Sequence, residues 1–186
     1  MKPRGFTQDV VEWESWLPLV DAATATPEQR AALAASPSQT SPYFLTLAHD
    51  VDALAQRSPL FHNVMYAPRG LPRAERELAT VVTSIVNGCI YCASVHARRF
   101  GELTKRPDII QRLYDEGLDT TLEPRMRAVV DFARALSQMP AAAGPKELET
   151  LRKVGLTDLE VVDLIHAIAM FANANRLMQT LGEPVV

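Results

Sequence analysis

From Pro42 to Leu181 the apolar residues recur three and four positions apart, and almost nowhere in the alternation that marks a strand. That periodicity confines the chain to an all-α fold, and the punctuation agrees with it. Thr26, Pro27 and Gln29 form a helix start: a side-chain cap, a proline at the first helical position and a capping glutamine. Ser41-Pro42 repeats the device, and Phe44, Leu47, Val51, Leu54 and Ala55 then fall on one helical face. Pro59 is expected to break or bend that pattern, leaving "LFHNVMY" as a short separate segment. "RAERELATVVTSIVNG" predicts a well-buried helix over roughly residues 72–86, stopped by Asn87-Gly88. A new helix is expected from about Cys89 to about Gly101. Three more follow, in "RPDIIQRLYDEGL", "EPRMRAVVDFARALSQM" and "GPKELETLRKVG". A last one begins with Thr157 as cap and Glu160 at its third position, and ends at Gly182 and Pro184. The expectation is a bundle of six to eight helices.

The 186 residues suit one helical domain, residues 41–186, behind an N-terminal extension, residues 1–40. The extension is rich in Ala, Thr, Ser and Pro and reads as loosely tied, with Trp13 and Trp16 docking it. A net charge of -3 argues against a nucleic-acid partner, which needs a concentrated basic face. No segment has the length and apolarity of a membrane span or a signal peptide, so the expected compartment is the cytoplasm, where thiols are kept reduced.

In that compartment the stretch "NGCIYCASVHARRF" stands out. It holds both cysteines of the chain, Cys89 and Cys92, with His96 four residues further on. On a helix these three share one face. The first turn of a helix favours a thiolate, and cysteines in such CxxC pairs titrate well below an ordinary thiol. A nearby imidazole can accept the proton. Glu77, twelve residues ahead of Cys89, lies on the preceding helix among mostly apolar neighbours, and needs a partner if it faces inward.

The order Glu77, eleven residues, Cys89-Ile90-Tyr91-Cys92, three residues, His96 resembles the AhpD family of alkyl hydroperoxidase-like proteins, within the carboxymuconolactone decarboxylase superfamily. The likeness spans about residues 42–182 and includes Asn175-Arg176 near the end. It implies an AhpD-like helical bundle that assembles as a dimer, trimer or hexamer. It implies that Cys92 attacks a hydroperoxide and becomes a sulfenic acid, that Cys89 resolves it as a disulfide, and that Glu77 and His96 form a proton relay. It implies no metal, haem or flavin, and an external dithiol or thiol reductant protein that restores the pair. In one subset of the family a histidine precedes the second cysteine. Tyr91 stands there in this chain, and a phenol, with a pKa of about 10, is a poor proton shuttle at neutral pH.

Three other readings compete. Two cysteines, a histidine and a glutamate are acceptable zinc ligands, though no second CxxC or HxxxH is present. The cysteines can be buried packing residues in a non-catalytic oligomeric binding protein. A non-redox lactone decarboxylase would be indifferent to the loss of Cys92. Asn173, Asn175 and Arg176 interrupt an apolar stripe and need partners, in an interface or in a pocket. His49, His62 and His166 have no sequence partner and read as surface or core residues, and Arg98-Arg99 as charges suiting the end of the cysteine helix.

Overall fold

A computed structural model describes residues 5–185. Among them the elements run β1 (Glu12–Ser15), α1 (Pro27–Ala34), α2 (Pro42–Leu47), α3 (Val51–Tyr66), α4 (Arg73–Asn87), α5 (Ile90–Thr104), α6 (Pro107–Asp115), α7 (Pro124–Ser137), α8 (Pro145–Lys153), α9 (Asp158–Leu181) and β2 (Gly182–Val185). The all-α expectation holds, with nine helices among the described residues where six to eight are expected. No helix of these residues is long and apolar enough to cross a membrane.

The helix starts follow the sequence signals. Thr26 and Thr157 each accept from the third helical N–H, and Gln29 and Glu160 reach back to close capping boxes. Two differences concern α2 and α3. Asp50 accepts from the Ala53 N–H at 3.1 Å, and this cap starts a new helix inside a pattern that reads as continuous. Pro59 then lies inside α3 without ending it. The buried stripe Leu54, Ser58, Phe61 and Met65 continues across the proline without a slip. Burial of side chains on both sides, at about 1.5–3 kcal/mol each for the large apolar ones, outweighs the roughly 3 kcal/mol that an interior proline costs.

Helix α4 is the axis of the fold, because every residue from Arg76 to Ser84 is buried. It packs against α5, α7 and α9. Leu78, Val81 and Val82 meet Ala97 and Phe100 of α5, Val129, Val130 and Ala133 of α7, and Leu164 and Ile168 of α9 in one core. The two terminal nitrogens of the buried Arg76 guanidinium donate to Asp163 at 3.1 Å and to the carbonyls of Val64 and Arg69 at 2.9 and 2.5 Å. Asp163, which interrupts the apolar run of α9, thereby fixes α9 to α4 and to the loop before it.

The N-terminal arm is held more firmly than its composition suggests. β1 pairs antiparallel with β2, with Trp13 opposite Pro184 and Ser15 opposite Gly182. The Trp13 side chain is buried and its indole N–H donates to the Met178 carbonyl at 3.0 Å, whereas Trp16 is exposed. Gly182 is what allows the ladder to close. A Cβ at that position would stand 2.1 Å from the Glu14 carbonyl oxygen and 2.4 Å from the Trp13 ring. Gly182→Ala is therefore expected to open the ladder, lower stability by about 1–3 kcal/mol, and speed alkylation of Cys89 beneath the arm. An unchanged melting temperature and alkylation rate would show that the ladder does not hold the arm.

Candidate active site

The turn between α4 and α5 is built by Gly88, whose φ of 78° is the left-handed conformation that glycine adopts without strain. The Cys89 N–H closes back onto the Ser84 carbonyl at 2.9 Å, and Cys89 becomes the residue that caps α5. Cys92 follows in the first turn, and both thiols are free. The two Sγ atoms lie 2.8 Å apart, close enough for one thiol to hydrogen-bond the other sulfur. They titrate as a pair. The hydrogen bond from Cys92 holds Cys89 below the ordinary thiol range, while that same bond and burial push Cys92 well above it.

α4 lies alongside α5, so Glu77 is brought to His96. The Glu77 Oε2 and His96 Nδ1 are 2.5 Å apart, and Arg73, one turn earlier on α4, donates to the other carboxylate oxygen at 3.1 Å. Glu77 is only 1% exposed. Burial alone would push its pKa up; the His96 charge and hydrogen bond, and then Arg73, outweigh it and hold the carboxyl below its ordinary value. With Nδ1 engaged, Nε2 is the imidazole nitrogen left without a partner among the described residues. Phe171 packs edge-on against the ring at 4.3 Å between centroids.

The two sulfurs open on different sides. Cys92 shares a cavity of about 360 Å³ with Glu77, His96 and Phe171. Cys89 lies at a second crevice of about 300 Å³, walled by Trp13, Trp16 and the β2 strand. Tyr91 borders both, so it is a partition between them, and burial raises its pKa. The five residues singled out in the sequence thus converge. Among the described residues, no group of three His, Cys, Asp or Glu side chains is arranged as a metal site.

Other residues take part that the sequence did not assign. Asn175, fully buried on α9, donates to the Ser84 hydroxyl at 3.1 Å and accepts from the Asn87 side chain at 3.0 Å. Its amide also favours the charged form of both thiols, a smaller influence than the contact between the sulfurs and burial. Its polarity within an apolar stripe was the available signal. Its neighbours do not share the role: Asn173 is exposed, and Arg176 is exposed and donates to the Ala172 carbonyl on its own helix. His49, His62 and His166 are all exposed. Arg98 and Arg99 lie mid-helix, not at a helix end, because α5 continues to Thr104, and they line the Cys92 cavity. Tyr43 and Arg57 line it too.

Asn175→Ala is expected to shift the inflection of thiol alkylation to higher pH, and to cost about 1–3 kcal/mol by leaving the Ser84 and Asn87 groups without their partner. An alkylation profile superimposable on the wild type would remove Asn175 from the site.

The fold has known relatives. The Carboxymuconolactone decarboxylase family matches residues 52–135, which take in α4, α5 and the whole Glu-Cys-Cys-His set. A peroxidase-related protein from Ralstonia eutropha with an alkylhydroperoxidase AhpD core superimposes with a TM-score of 0.77 at 28% identity, over 90% of each chain. A peroxidase-related protein from a Silicibacter species superimposes with a TM-score of 0.72 at 21% identity, over 93% of this chain and 95% of that one. The Bacillus subtilis protein YdfG is 26% identical over 113 residues, which is 59% of this chain and 75% of that protein. Residues 52–135 are thus similar to the Carboxymuconolactone decarboxylase family, and the chain has the AhpD-like helical architecture.

Proposed function

We propose that the protein is a thiol-dependent peroxidase that reduces organic hydroperoxides. The observation that supports this best is the shared cavity: the Cys92 sulfur opens into the same space as the Glu77–His96 pair, with Cys89 at 2.8 Å behind it. Cys92 Sγ attacks the terminal peroxide oxygen. The S–O bond forms as the O–O bond breaks, and the alkoxide takes a proton relayed through the cavity from His96, whose charge Glu77 holds. The Cys89 thiol then attacks the sulfenic sulfur, and water leaves as the disulfide forms. An external dithiol reduces the disulfide through a mixed disulfide and leaves oxidised. The balance is one hydroperoxide and one dithiol giving one alcohol, one water and one disulfide. Metal, haem and flavin have no part in this sequence of steps. A homo-oligomer and a thiol reductant protein belong to the proposal, as the family resemblance implies.

The test is thiol counting on reduced, metal-free protein with one equivalent of cumene hydroperoxide. The expected result is loss of both thiols, reversed by dithiothreitol. Two thiols that persist would overturn the peroxidase reading and leave a non-redox chemistry.

A further inference from the structure

The Cys92 cavity contains more positive charge than the chemistry at its sulfur uses. Arg57 of α3 enters it between the rings of Tyr43, Phe44 and Phe61, with its guanidinium carbon 5.6, 5.5 and 5.1 Å from their centroids. Its Nε and Nη1 are buried and have no hydrogen-bond partner among the described residues. Three neighbouring arginines each meet a carboxylate: Arg73 meets Glu77, Arg76 meets Asp163 and Arg99 meets Glu102. Glu77, the one carboxylate that lines the cavity, is taken up by His96 and Arg73. Arg98, on the same wall, also has a buried Nε without a partner.

Beside Arg57 lies a second unused donor. The Tyr43 side chain is 5% exposed, and its hydroxyl is buried with no partner among the described residues. Burial pushes its pKa up to about 12, so the phenol keeps its proton and can donate but not carry charge. Buried polar groups without partners are rare and costly, and contact with three aromatic faces offsets only part of the cost for a cation. A guanidinium with unpartnered nitrogens beside a phenol O–H fits a carboxylate, which accepts several such bonds at once. The rest of the lining, including Phe44, Phe61 and Phe171, suits an apolar body.

The geometry points to a hydroperoxide that itself carries a carboxylate as the substrate of this cavity, with Arg57 and Tyr43 holding the carboxylate while the peroxide lies at Cys92. This rests on the peroxidase reading for the reaction, but the binding of the carboxylate stands apart from it. Arg57 and Tyr43 act on the remote end of the substrate and determine specificity; the reacting oxygens belong to Cys92 and His96.

The experiment compares cumene hydroperoxide bearing a para-carboxylate with the methyl ester of the same compound, in wild-type, Arg57→Met, Arg57→Lys and Tyr43→Phe proteins, with dithiothreitol as reductant. The wild type is expected to favour the acid in kcat/KM. Arg57→Met should lower kcat/KM on the acid by about tenfold to a hundredfold and leave the ester within about threefold. Arg57→Lys should recover part of the loss, and Tyr43→Phe should show a smaller loss confined to the acid. Equal turnover of acid and ester by the wild type, or an equal loss on both in Arg57→Met, would overturn the proposal. If the wild type consumes no hydroperoxide, the peroxidase reading fails. Calorimetry with para-isopropylbenzoate then decides the carboxylate site alone: binding that Arg57→Met abolishes supports it, and no binding to the wild type overturns it.

Discussion

Cys92→Ser is expected to lower the rate of hydroperoxide reduction by about a thousandfold or more, as loss of a nucleophile does in other enzymes. Cys89→Ser is expected to behave differently. It should consume one equivalent of hydroperoxide at near the wild-type rate and then stop, with a sulfenic acid trapped on Cys92. The two outcomes separate attack from resolution. They also meet a tension within the site, because the pair gives up its first proton from Cys89, while Cys92 is the sulfur that opens toward Glu77 and His96. Access outweighs titration here. A thiolate on Cys89 at 2.8 Å can take the proton of Cys92, so the charge reaches the accessible sulfur by a short transfer within the pair. Cys89 lies in the other crevice, with Tyr91 between it and the Glu77–His96 pair. Mass spectrometry of the trapped species decides it. A sulfenate on Cys89 in the Cys92→Ser protein, with Cys89→Ser inert, would exchange the two roles.

What the sequence made legible in this site was whatever two consecutive helices bring together. Glu77, Cys89, Cys92 and His96 lie within twenty residues, and a helix, a glycine turn and a second helix fix their relation. Tyr43 and Arg57 come from α2 and α3, and only the tertiary packing brings them to the Cys92 cavity, as it brings Asn175 of α9 to Ser84 and Asn87 at the end of α4. Asn175 at least betrayed itself as a polar residue in an apolar stripe. Arg57 did not, because an arginine on an amphipathic helix ordinarily lies in solvent. The fold divides in the same way. Most helix starts were local and were readable, down to the capping boxes at Thr26 and Thr157, though the Asp50 start of α3 was not. The β1–β2 ladder joins four-residue strands from opposite ends of the chain, and no local pattern announces such a pairing. Pro59 shows the limit of a breaker signal, since burial along the Leu54–Met65 face overrides it.

Glu77→Gln carries the other large effect, and it separates charge from shape. Glutamine fills the same space and its one carbonyl oxygen can still accept from Arg73 or from the His96 ring, so the fold should survive. What is lost is the negative charge behind His96 that holds its ring in place. Turnover with hydroperoxide is expected to fall by about a hundredfold to ten-thousandfold, the usual range for proton transfer by a positioned group, with binding of substrate little changed. The effect on stability has a definite sign. The Glu77 carboxyl titrates below the ordinary value of 4.5 in the folded protein. Its contribution is therefore complete above that value and disappears as pH falls through the lower, folded one. Wild-type stability should thus drop on the acid side of about pH 4.5 more steeply than that of Glu77→Gln, and the two curves should run parallel at neutral pH. A variant that keeps turnover within about twofold of wild type would take the carboxylate out of the relay. His96 would then have to exchange protons with the cavity without it, and Glu77 would be left as the buried partner of Arg73, a structural ion pair at the centre of the helix hairpin.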